Sequence, residues 1–129
     1  MSNQSEIANI KKLTKEMRKN ILKMSLAAGS GSSHFGGSLS TVELLVTLYN
    51  SVLKFDVSNP LLEDRDRFIL SKGHGALGLY SALLEVGIIS EEIYSTFQTN
   101  GSDLTAHPVM NIPLGIESSN GSLGHGLSF

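Results

Sequence analysis

The chain has 129 residues and a formal net charge of −2. That length suits one domain, and that charge gives no basic surface for nucleic acid or anionic lipid. With 40% hydrophobic and 17% charged residues it reads as globular, and with no cysteine it has no disulfide, thiolate metal site or cysteine nucleophile. No run of about 18 apolar residues marks a membrane span, and the polar N-terminus lacks a secretory core, so the sequence reads as cytoplasmic.

Residues 5–28 repeat apolar side chains at three and four (Ile7, Ile10, Leu13, Met17, Ile21, Met24, Ala28), which predicts a helix ended by Gly29. Residues 30–37 read as a loop. Ser40-Thr41-Val42-Glu43 fits a capping box opening a buried helix through Leu53. Residues 54–66 form a polar connector, and Asp66 and Arg67 are expected to form a buried or half-buried pair at its end, not to act as catalysts. Residues 67–71 are a short apolar run and predict a buried strand. It leads into Lys72-Gly73-His74-Gly75, then a helix ending at Gly87. Ser90-Glu91-Glu92 caps a shorter helix reaching Phe97. Residues 101–111 are loop, Gly115-Ile116-Glu117 is a brief extended piece, and 118–126 is a Ser/Gly loop before the start of a helix at Leu127. No linker divides residues 1–129. One predicted strand cannot make a sheet, so the elements read as helices that would cover a sheet completed elsewhere, the chain being a fragment or one partner of an assembly.

The 13 glycines are about a tenth of the chain, against about 7% in ordinary proteins. They flank histidines: Gly36 and Gly37 after His34, Gly73 and Gly75 around His74, Gly124 and Gly126 around His125. Glycine lets backbone approach a ligand, and imidazole donates to phosphate or hydroxyl oxygens. By residue chemistry alone, His34 is a loop residue among serines and His107 a turn residue fixed by Pro108. Residues 121–123 are a Gly-Ser surface loop, and His74 either caps a helix or serves an anion at a strand–turn–helix junction.

Four blocks in order add a family resemblance: Ser33-His34-Phe35-Gly36-Gly37-Ser38-Leu39-Ser40, Asp66-Arg67-Phe68-Ile69-Leu70-Ser71-Lys72-Gly73-His74, Ala106-His107-Pro108, and residues 115–126, which contain Gly121-Ser122-Leu123-Gly124-His125-Gly126. Together they resemble the beginning of a transketolase, most like the N-terminal subunit of split transketolases. The resemblance implies an α/β fold, part of a thiamine-diphosphate-binding domain with helices on a mostly parallel sheet. It implies transfer of a two-carbon ketol unit from a ketose phosphate to an aldose phosphate, using thiamine diphosphate and Mg2+. By the same resemblance His74 binds the cofactor diphosphate, Gly121, Ser122 and Leu123 run along the cofactor, and His34 and His107 face the substrate. Asn120 stands where the family usually has threonine, and Glu117 receives no role. The family's Gly-Asp-Gly cation segment and its activating carboxylate are not among these residues. The implied partners are therefore sugar phosphates and complementary chains in an oligomer. The alternatives are a non-catalytic remnant or scaffold piece, or a carboligase subunit like deoxyxylulose-phosphate synthase.

Overall fold

The structure is a computed structural model and describes residues 3–29 and 34–128. Five α-helices follow in chain order: α1 (Asn3–Ala27), α2 (Phe35–Leu39), α3 (Val42–Thr47), α4 (Ala76–Glu85) and α5 (Glu91–Ser95). The helical period of the N-terminal segment becomes α1, which buries Met17, Ile21 and Met24 and stops at Gly29, whose φ of +77° L-residues with side chains rarely adopt. No described helix is long and apolar enough to cross a membrane.

α4 is the centre. Residues 76–83 are all buried, so this helix has no polar face, as its sequence requires. α1, α2, α3 and α5 all pack on it. Gly78 is the contact that lets α2 and α3 close in: a Cβ there would stand 2.9 Å from Thr41 Oγ1 and 3.3 Å from Leu45 Cδ1. Fully burying each of Leu79, Leu83, Leu45 and Ile21 contributes about 1.5–3 kcal/mol.

Four local expectations change within residues 30–71. Residues 30–33 of the expected loop lie outside the described residues, but its end is helical: Phe35–Leu39 forms α2 despite two glycines, because packing on α4 overrides their weak propensity. The capping box is absent. α2 runs so directly into α3 that both hydroxyls turn back onto α2, Ser40 Oγ donating to Gly37 O at 3.0 Å and Thr41 Oγ1 to Ser38 O at 2.8 Å, and the Thr41 side chain caps no α3 amide. After Thr47 the helix widens into a π-helical turn (Leu48–Val52) that buries Tyr49 against Phe55 and Phe68, with ring centroids 5.8 and 5.9 Å away.

The third change concerns the sheet. Residues 67–71 form no strand, and among the described residues the single β-type pairing is an antiparallel bridge between Asn111 and Ile116. Leu70 is buried and Phe68 and Ile69 half-buried, yet their amides find no backbone partner among the described residues. A parallel strand needs neighbours reached by long crossovers, and the described residues contain none. Fourth, Asp66 and Arg67 do not pair. Asp66 is exposed and closes the connector on Lys54, its carboxylate accepting the Lys54 amide at 2.8 Å while its own amide donates to Lys54 O at 2.8 Å.

The helix through Gly87 and the Ser90 cap form as the sequence predicts. Gly87 takes a φ of +81°, and Ser90 Oγ accepts the Ile93 amide at 3.3 Å. Residues 126–128 make a single 3-10 turn where a helix start is expected.

Candidate functional site

Three segments distant in sequence bring their imidazoles together. His34 opens α2, His74 sits in the 3-10 turn Gly73–Gly75 that feeds α4, and His107 precedes the buried Pro108. The His34 and His74 ring centroids are 5.5 Å apart, and those of His34 and His107 are 5.9 Å apart, both edge-on. His34 and His107 are exposed and His74 is half-buried, so the cluster faces solvent.

The backbone explains the convergence. His74 lies against Gly37, where a Cβ would stand 2.7 Å from its Cδ2, so this glycine is the space the ring occupies. The His107 loop hangs from α4: Tyr80 OH donates to Thr105 O at 2.9 Å, and Thr105 Oγ1 donates to His107 O at 2.6 Å. The Asn120 amide donates to Pro108 O at 3.0 Å, and the Asn120 carbonyl would stand 2.6 Å from a Cβ at Gly73. The last segment thus rests on both histidine turns.

Gly121, Ser122 and Leu123 are exposed, Leu123 by 65%. They are brought to the His74 turn through their flanks rather than to the rings themselves. Asn120 anchors one side, and on the other Gly124 N donates to Ser71 O at 3.3 Å and Gly126 N to Ser71 Oγ at 3.0 Å.

Lys72 is a neighbour that the sequence reading did not single out. Its Nζ donates to Ser40 Oγ at 2.9 Å, which places a cation beside the cluster. The signal was there, in a basic residue next to the Gly-His turn. Desolvation, then the charges of Lys72, His34 and His107, hold the His74 pKa below the ordinary imidazole value. A neutral ring keeps one N–H to donate. Donor imidazoles, an ammonium and glycine turns without Cβ atoms fit an anion of the diphosphate class. Among the described residues no three His, Asp or Glu side chains are grouped to hold a metal ion.

Glu117 also acquires a place. Its carboxylate meets Arg65 Nη1 at 2.6 Å, with both side chains 6% exposed, and half-exposed Arg67 Nη1 at 3.4 Å. A cavity of about 30 Å³ beside this pair, lined by Tyr49, Phe68 and Leu83 among others, includes none of the histidines.

Comparison with known proteins identifies the family. Residues 11–129 match the family model described as the transketolase thiamine diphosphate binding domain. The chain is 41% identical over 118 residues to one subunit of the apulose-4-phosphate transketolase of Actinobacillus succinogenes, covering 92% of this chain and 42% of that protein. It is 44% identical over 98 residues to 6-deoxy-6-sulfo-D-fructose transketolase subunit SqwG of a Clostridium species, covering 76% and 36%. The transketolase of Leishmania mexicana superposes with a TM-score of 0.81 at 25% identity, over 92% of this chain and 18% of that one. The chain thus spans about two fifths of the length of these subunit relatives. With the family model matching residues 11–129, the chain belongs to the transketolase family, within its thiamine diphosphate binding domain.

Proposed function

We propose that this chain supplies one wall of a thiamine diphosphate site in a transketolase-type transferase. The observation that carries the reading is the convergence of His34, His74 and His107. In this reading thiamine diphosphate supplies the nucleophilic carbon that accepts a two-carbon ketol unit from a ketose phosphate and passes it to an aldose phosphate. His74, donating from a neutral ring, and the amides of Gly121, Ser122 and Leu123 hold the cofactor. His34 and His107, exposed on the same face, donate to substrate hydroxyls or carry protons near neutral pH.

The remaining parts belong to the same proposal. Residues 67–71 take their place in a parallel sheet once other strands pair with them, and the amides of Phe68, Ile69 and Leu70, without a backbone partner among the described residues, support that. The Mg2+ ligands and the pyrimidine-binding domain come from complementary polypeptide, a division that the names of two relatives as subunits supports. The working enzyme is an oligomer in the cytoplasm, where sugar phosphates are found. The relatives' names further point to a donor ketose ending in an anionic group.

The test uses the chain co-expressed with the polypeptide that completes the domain. Turnover of ketose phosphates, with none from pyruvate, supports ketol transfer. Pyruvate turnover would move the protein to the deoxyxylulose-phosphate-synthase type, and no turnover with bound cofactor would make it a scaffold piece. His74→Ala should weaken cofactor affinity about tenfold or more while leaving sugar preference in place, and the reverse pattern would remove the assignment.

A further inference from the structure

Glu117 stands just ahead of the 121–123 segment expected to run along the cofactor. Its side chain and that of Arg65 are almost wholly buried, 6% exposed each. Taking two charges out of water carries a desolvation cost that the ion pair recovers only with good geometry, and a well-packed apolar pair often does as well for the fold. Here the geometry is incomplete, because Arg65 Nη2 is buried with no hydrogen-bond partner among the described residues. What the pair does provide is position. Arg65 is fixed from the connector side, its Nε donating to Pro60 O at 2.6 Å and its Nη1 to Asp66 O at 3.2 Å. Arg67, which reaches the other carboxylate oxygen, begins the run leading to the His74 turn. Behind Glu117, the Asn111–Ile116 bridge fixes the backbone on one side. On the other side Asn120 touches both Gly73 and Pro108. One carboxylate thus sits where the approach to His74, the His107 loop and the 121–123 segment are tied together.

We propose that Glu117, clamped by Arg65 and Arg67, is a positioning residue that sets the register of the 118–123 segment against the His74 turn. The proposal rests on the function proposed above. It predicts that the pair governs cofactor affinity more than it governs the fold.

The experiment compares Glu117→Gln, the apolar double variant Arg65→Met with Glu117→Leu, and Arg67→Gln, each in the protein co-expressed with its completing polypeptide. Three quantities are read: melting temperature, thiamine diphosphate affinity by calorimetry, and amide exchange of the cofactor-free protein by mass spectrometry. The double variant should melt near the wild type yet bind the cofactor about tenfold more weakly, with faster exchange confined to residues 105–111 and 118–126. Arg67→Gln removes a half-exposed charge that the fold can spare. It should weaken binding about threefold with the same local exchange change, so it decides the matter if the buried variants do not fold. A folded variant with wild-type affinity and exchange, or exchange raised evenly across the chain, would overturn the proposal. If the wild-type protein takes up no thiamine diphosphate, the functional reading falls, while the exchange pattern still judges the positioning role.

Discussion

A methyl group at Gly37 would stand 2.7 Å from His74 Cδ2, and one at Gly73 2.6 Å from the Asn120 carbonyl oxygen. The first neighbour is a ring that can rotate; the second is backbone held by its bond to Pro108. Gly37→Ala should therefore turn the His74 ring at little cost to the fold, whereas Gly73→Ala should cost about 1–3 kcal/mol. Parallel thermal melts separate the two, and equal losses would contradict this account. His74 also predicts a pH dependence. Desolvation, then Lys72 and the two other imidazoles, lower its pKa in the fold, while in the unfolded chain the ring titrates at about 6.5. Between those values the unfolded state binds more protons, so stability falls as pH drops through about 6.5 and levels off below the folded value. The carboxyls that hydrogen bonds lower, Glu16, Glu43 and Asp56, act in a separate window, below about pH 4.5. Urea midpoints should fall across the first window in the wild type and stay flatter in His74→Gln; equal slopes would clear His74 of the effect.

At the level of elements, α4 carries the fold. Leu83 is fully buried within it, and Leu83→Ala should cost about 2–5 kcal/mol. Ser81 and Tyr94 share a buried hydrogen bond of 2.8 Å that joins α4 to α5. Tyr94→Phe should cost about 1–2 kcal/mol by leaving the Ser81 hydroxyl unpaired, and Ser81→Ala with Tyr94→Phe should recover part of that loss in a denaturant titration. α1, α4 and α5 were legible because periodicity, terminal glycines and a serine cap are local signals. α2 was not, because its glycines argue against a helix that only contact with α4 makes stable. The 67–71 run showed its apolar character, but a strand also needs a neighbour to pair with, and the described residues offer it none. The site divides in the same way. Gly-His neighbours and the family blocks pointed to His34, His74 and the 121–123 segment. The role of Glu117 stayed hidden because its partner Arg67 is 50 residues away, and local pattern carries no such information.

Over the whole molecule, all three tyrosines are buried. Burial pushes Tyr80 and Tyr94 up to about 12, and burial together with the Glu117 charge pushes Tyr49 up as well. The unfolded chain loses those protons near pH 10, so stability should decline above that point as the folded state retains them. Tyrosinate absorbance should then rise together with loss of helical circular dichroism, and an earlier independent rise would show that a phenol is open to solvent. The run before the His74 turn carries a liability of another kind. Phe68, Ile69 and Leu70 are apolar, and their amides lack backbone partners among the described residues. Such a stretch is a template for its own copies. Until another strand covers it, molecules at high concentration should stack through it into β-rich aggregates. Ile69→Lys should slow that growth, and adding the completing polypeptide should stop it.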